Sequence, residues 1–295
     1  MSRSMQQLKR LSALLLAVLL LMSVFASCKK KDTEEGISDT SSVEEIKIED
    51  GEGIPTLNDL QVKIQEAKKT NPKVYAWLVV PGLNVSEPIV FDQENNNKYW
   101  ETRNLAGEEV PNGSADVSWA SAYDIFGDLP SEDGKNNVIF GHNWNNIHPP
   151  YVIGPNPDYE AFAQLLSFTD EEFAKDHQYV YLATERTMRV YKVFSAMNSE
   201  SDWTSELGFN YINTEPTDEQ FETMVDEMKK RSFINFDTEV TGEDKILTLS
   251  TCTRYEAGGG SDQRYVIVAK LVKDGESTSE MAPVSQNPER KRPSF

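Results

Sequence analysis

The chain has 295 residues, 38% hydrophobic and 26% charged, with 29 Lys+Arg against 48 Asp+Glu and a formal net charge of −19. That length suffices for one large domain with a real hydrophobic core. The acidic balance excludes a nucleic-acid partner, because neutralising phosphates takes clustered Lys and Arg. Two cysteines and three histidines exclude a disulfide framework, and no Cys-x-x-Cys or Cys/His cluster offers a structural zinc site, so no cofactor is expected.

Residues 1–31 hold six bases and no acid. Arg3, Lys9 and Arg10 precede the uncharged, Leu-rich run Leu11 to Ser27, and Lys29 to Lys31 close it. A basic start, an apolar run and the small residues Ala26-Ser27 form the pattern of an export segment. Phe25-Ala26-Ser27-Cys28 is similar to a bacterial lipoprotein cleavage box, which makes Cys28 a lipidation candidate. The run also has the length of an uncleaved signal anchor. Cleavage with full secretion is the third reading; the first two hold the N-terminus at the membrane, and all three put the rest of the chain outside the cytoplasm. Without residues 1–31, 23 bases face 48 acids, a net of −25.

Residues 32–55 are rich in Glu, Asp, Ser, Thr and Gly, too poor in large apolar groups to offset chain entropy, and are expected to be a disordered acidic tether. Leu57, Leu60, Ile64 and Ala67 recur at helical spacing until Asn71-Pro72. Tyr75 to Val80 is strand-like and stops at a Pro81-Gly82 turn, and Val85 to Phe91 continues in the same manner around Pro88. Asn137 to Phe140 is a short apolar strand. Thr169 to Glu172 and Thr217 to Gln220 both fit a capping box. The second opens a helix with Phe221, Met224, Val225 and Met228 on one face, the pattern of core filling. Tyr179 to Ala183 and Met188 to Ala196 form a hairpin about Glu185-Arg186. Lys245 to Ser250 and Arg264 to Val272 are further strands. Residues 276–295, ending in Arg290-Lys291-Arg292, are expected to be a disordered tail. The folded part, 56–275, is thus one mostly β (α+β) domain with three or four inserted helices.

Within that domain Cys252 is the sole thiol. An apolar strand ending in small hydroxyl residues, Ile246 to Thr253, delivers it to a sheet rim. Free cysteine is most often inert and buried, yet one unpaired thiol at a strand end of an exported protein is worth flagging. His142 follows another strand, where Gly141 allows a turn that turns the imidazole to a rim. His148, before Pro149-Pro150, and His177, among charges, are weaker candidates. Arg264 opens the last strand, and pairing of that strand with the Cys252 strand would bring the two residues together. A thiol, an imidazole and a guanidinium supply a nucleophile, a proton shuttle and an oxyanion stabiliser.

Thr248-Leu249-Ser250-Thr251-Cys252 followed by Arg264, with the earlier Gly141-His142, resembles the sortase signature over about Leu57 to Val272. The N-terminal helix, the Asn137 to Trp144 block and the long helical insertion before the Cys strand look most like class B. Papain-like proteases place Cys before His and do not fit. The resemblance implies a closed eight-stranded β-barrel with an N-terminal helix and peripheral helices, and catalytic roles for His142, Cys252 and Arg264. It also implies substrate proximity for Ser250 and its neighbour Thr251. Ala115 to Trp119 departs from the family's usual strand pattern. The implied activity is transpeptidation of exported proteins bearing a Thr-containing C-terminal sorting signal, of Asn-Pro-x-Thr type in class B relatives. The acceptor would be an amine of a peptidoglycan precursor or of a pilin. A cysteine peptidase and a non-catalytic acidic surface lipoprotein remain the alternatives.

Overall fold

Helix α1 (Leu57–Thr70) starts where Thr56 and Asp59 cap each other. The Asp59 amide donates to Thr56 Oγ1 and the Thr56 amide to Asp59 Oδ2, each at 3.2 Å, so two exposed backbone donors are satisfied reciprocally. The structure is a computed structural model and describes residues 54–91, 100, 102–110, 120–122, 134–201, 209–256, 260 and 262–293. The export segment with Cys28, the tether up to residue 53 and the stretch Ala115 to Trp119 lie outside these residues. Among the described residues no helix is long and apolar enough to cross a membrane.

The strands follow in chain order. They are β1 (Val74–Val80), β2 (Val85–Val90), β3 (Ala120–Ala122), β4 (Asn136–Gly141), β5 (Tyr179–Thr184), β6 (Met188–Glu200), β7 (Ile234–Phe236), β8 (Ile246–Thr253), β9 (Gln263–Leu271) and β10 (Val284–Gln286). Between them lie a 3-10 helix (Ala161–Thr169), α2 (Glu171–Asp176) and α3 (Asp218–Arg231). Eight strands close a barrel in the order β1-β2-β3-β4-β8-β9-β6-β5, and β10 pairs with β7 in a separate ribbon. The expected eight-stranded barrel is therefore present. Most pairs are antiparallel, but β2 with β3 and β4 with β8 run parallel. Pro88 sits inside β2, where the parallel ladder to β3 begins only at Ile89, so its missing N–H costs no pairing there.

Side-chain alternation sorts β8 and β9 into two faces. Leu247, Leu249, Tyr265, Ile267 and Ala269 point into the barrel core with Ile139. Ile246, Val266 and Val268 point outward, where Val138 and the Phe221, Met224 and Met228 face of α3 cover them. The methionines are core filling, as expected. Helix α1 packs Leu60 and Ile64 against Tyr179, Tyr181 and Val190 at another side of the barrel. Fully burying such side chains stabilises by roughly 1.5–3 kcal/mol each.

Three local expectations change. The segment after Asp274 is not a free tail. Ala282 and Gln178 exchange hydrogen bonds of 2.7 and 2.8 Å, β10 is laddered to β7, and Arg290 is buried. Composition suggested a solvated terminus, but polar side chains here satisfy one another on the barrel surface. The box at Thr169 is replaced by Asp170, whose Oδ1 accepts from the Phe173 amide at 2.9 Å, while Thr169 Oγ1 donates back to Leu166 O. Gly141 ends β4 rather than making a turn. A Cβ there would lie 2.3 Å from Phe162 Cγ, so the close ring, not a special dihedral, demands glycine.

Candidate active site

The site grows from the parallel pairing of β4 and β8. Phe140 lies beside Ser250, so both strands finish at the same rim. Thr251 Oγ1 donates to Gly141 O at 2.8 Å and ties the two ends together. Just beyond, Asn143 donates from Nδ2 to Cys252 O at 2.9 Å and to Asn146 O at 3.1 Å. Asn146 in turn donates its amide to Asn143 Oδ1, and its Nδ2 to Val152 O and Ala163 O at 3.1 and 3.0 Å. Asn143 and Asn146 are almost fully buried, so the stretch that carries His142 is pinned to the cysteine strand. His142 itself is half-buried and stacks on exposed Trp144, ring centres 5.4 Å apart.

On the other side of β8, Cys252 pairs directly with Arg264 of β9. Cys252 is half-buried and, among the described residues, free of any disulfide. Arg264 is half-buried, and its Nη1 donates to Gln263 O at 2.9 Å. Ser250 shares their face, and its hydroxyl meets the Tyr211 hydroxyl at 3.1 Å. Burial pushes the Tyr211 phenol above its ordinary range, with the Ser250 bond and the nearby Arg264 charge opposing it. The phenol is therefore neutral and able to donate at neutral pH. On the opposite face of β8, Thr253 bonds to Tyr151 at 2.7 Å, and burial pushes the Tyr151 phenol up to about 12.

His142, Cys252 and Arg264 thus converge on one rim, carried by β4, β8 and β9. Ser250 lies next to them but is fully buried under Tyr211. Thr251 turns to the opposite face and is 2% exposed, its hydroxyl committed to Gly141 O, so it braces the strands instead of lining a groove. His148 is exposed. His177 stacks on Phe173 at 4.2 Å and fills the space over Gly82, so its ring is committed to packing. Sequence reading missed Asn143, Asn146 and Tyr211. Asn143 adjoins His142, and its place as a polar residue after a strand is the signal that could have found it, whereas nothing local links Tyr211 to Ser250.

A closed barrel that presents a thiol and a guanidinium as opposed partners beside a histidine has the groups of a thiol acyl-transfer enzyme. Residues 78–272 match the family model described as Sortase domain, and the chain belongs to the sortase family, whose members are cysteine transpeptidases. Its relatives are class B. It is 26% identical to Sortase B of Listeria monocytogenes over 218 residues, covering 72% of this chain and 76% of that one. It is 25% identical to Sortase B of Staphylococcus aureus over 215 residues, covering 72% and 75%. The solved structure of Clostridium perfringens sortase B superposes with a TM-score of 0.55 at 25% identity, over 71% of this chain and 99% of that one.

Proposed function

We propose that Cys252 is the nucleophile, His142 the proton shuttle and Arg264 the oxyanion stabiliser of a transpeptidase that reads a threonine-containing sorting signal. The direct pairing of Cys252 with Arg264 on one face of β8 and β9 carries this reading. The Cys252 thiolate attacks the carbonyl carbon after which the signal is cut, and the guanidinium holds the developing oxyanion. Protonated His142 gives its proton to the departing amine as the C–N bond breaks, leaving a thioester. An incoming amine then attacks the thioester, gives its proton to His142, and releases the thiolate. The signal is of the Asn-Pro-x-Thr type by likeness to class B relatives, and the acceptor is the amine of a peptidoglycan precursor or pilin. The export segment holds the enzyme on the outer face of the membrane, through lipidated Cys28 or as an uncleaved anchor. Loss of lipid labelling in Cys28→Ala separates the first from the second.

The test is mass spectrometry of intact protein incubated with a small library of sorting peptides. A thioacyl adduct on Cys252, discharged faster by added amine, is the expected result. Discharge that amine cannot divert identifies a peptidase instead. A chain that forms no adduct with any peptide is a surface-binding lipoprotein whose thiol is incidental.

A further inference from the structure

The stretch matched by the family ends at residue 272, yet the chain continues as a fastened strap. After β10 has paired with β7, the Asn287 amide donates to Phe233 O at 2.8 Å. The strap then delivers Arg290 to an interior position where its side chain is 4% exposed. There the guanidinium pairs with Glu256 and lies over the rings of Phe233 and Tyr255, at 4.2 and 5.2 Å. Glu256 belongs to the segment that leaves Cys252 on its way to Arg264. Gln263, the neighbour of Arg264, grips the Glu256 backbone from both sides, accepting from its amide at 2.7 Å and donating to its carbonyl at 2.8 Å. Arg290 is thereby joined through one side chain to the connection between the two residues assigned to the chemistry.

We propose that the strap is a positioning device for the reacting pair and that Arg290 is its latch. This rests on the assignment of Cys252 and Arg264 above. Arginine suits the place because its planar fork pairs with a carboxylate while stacking on aromatic faces. Removing it leaves the Glu256 carboxylate, whose side chain is 14% exposed, without its cation, and the Arg254 to Glu256 segment relaxes toward water. The registry of Cys252 and Arg264 at the end of their strands then loosens. A misplacement of about 1 Å at reacting groups can cost on the order of a hundredfold in rate. Arg290 touches neither thiol nor substrate, so it acts by positioning.

The experiment compares Arg290→Gln, Arg290→Lys and Glu256→Gln in the full chain, by turnover of a sorting peptide and by hydrogen exchange. Arg290→Gln is expected to lower kcat roughly ten- to a hundredfold with KM little changed. Exchange rises in peptides covering Arg254 to Glu256, while β1 and β5 keep wild-type protection. Arg290→Lys keeps the charge without the fork and recovers only part of the loss, and Glu256→Gln reproduces it. Unchanged kcat in Arg290→Gln overturns the latch, and so does exchange that rises through the whole barrel in both Arg290→Gln and Glu256→Gln. Exchange needs no turnover and is repeated in Cys252→Ala. A Cys252→Ala chain that still cleaves peptide would therefore defeat the catalytic assignment and leave the loop response as a separate result.

Discussion

Cys252 and Arg264 are register partners across the antiparallel pair β8 and β9. Directly opposed residues rise from the same face, with Cβ atoms about 4.5–5.5 Å apart. Arg264→Ala should therefore lower kcat/KM by about 10²–10³, the typical loss of one oxyanion donor. Arg264 is half-buried at a strand end, so the melting temperature should move little. Arg264→Lys keeps the charge without the fork and should fall between the two. Steady-state cleavage of a sorting peptide measures all three, and a wild-type rate in Arg264→Ala would remove the arginine from the mechanism.

Asn143 is the tie between the His142 segment and the cysteine strand, bonding Cys252 O and Asn146 O from one amide nitrogen. Asn143→Ala leaves those carbonyls unpaired and should cost about 1–3 kcal/mol of stability. Asn143→Asp should be worse for activity. It sets a carboxylate oxygen against two carbonyls, and its charge beside the thiol disfavours the thiolate. The pH profile of Cys252 alkylation in Asn143→Asp should move to the alkaline side. Equal profiles in the wild type and Asn143→Asp would show that Asn143 has no electrical influence on the thiol.

Gly141→Ala brings a methyl group within 2.3–2.6 Å of three Phe162 ring carbons. Phe162 is 1% exposed in the barrel core and cannot swing into solvent. Overpacking of this kind typically costs 1–3 kcal/mol, read here by urea denaturation. Phe162→Leu in the same chain should recover part of the loss, because the smaller side chain makes room. Failure of that rescue would point to the backbone rather than the ring as the reason for glycine.

Asp244 is 1% exposed; it accepts from the Thr241 amide at 2.7 Å and pairs with Lys273 at 2.6 Å. Burial alone would raise its pKa, but the Lys273 bond and the Thr241 amide outweigh it and hold the carboxyl below its ordinary value. A carboxyl lowered on folding adds stability that is present above its unfolded pKa of about 3.9 and lost as pH falls through the lower folded value. Asp244→Asn should be less stable than wild type at neutral pH, and the gap should narrow below about pH 4. A gap that stays constant on acidification would mean that Asp244 is protonated throughout.

Much of the site was legible before any fold was known. The apolar run Ile246 to Leu249 ends in small hydroxyl residues and then Cys252, and a short apolar run bounded by polar residues reads as a strand whose end meets solvent. The same holds for Asn137 to Phe140 before His142. These are local facts, set by side-chain chemistry within a few residues, and so they can be read in order along the chain. The α3 cap at Thr217 belongs to the same class.

Other features depend on residues far apart in the chain. Tyr211 reaches Ser250 only because Tyr211 and Ile212 pack with Val138 and Val266 on the outer face of the closed barrel. Gly141 looked like a turn residue, and only the neighbouring Phe162 ring explains it. The polar C-terminal residues read as a solvated tail, since composition counts apolar area and cannot see pairings such as Ala282 with Gln178 or Arg290 with Glu256.

The opening scarcity of Cys and His, together with the short motif around Cys252, by itself determined which side chains could perform the chemistry, because reactive groups are properties of single residues. The tertiary structure decided what holds them. Closure of β4, β8 and β9 side by side put His142, Cys252 and Arg264 on one rim. Non-local hydrogen bonds and a returning C-terminal strap, whose partners lie scores of residues away, keep them there.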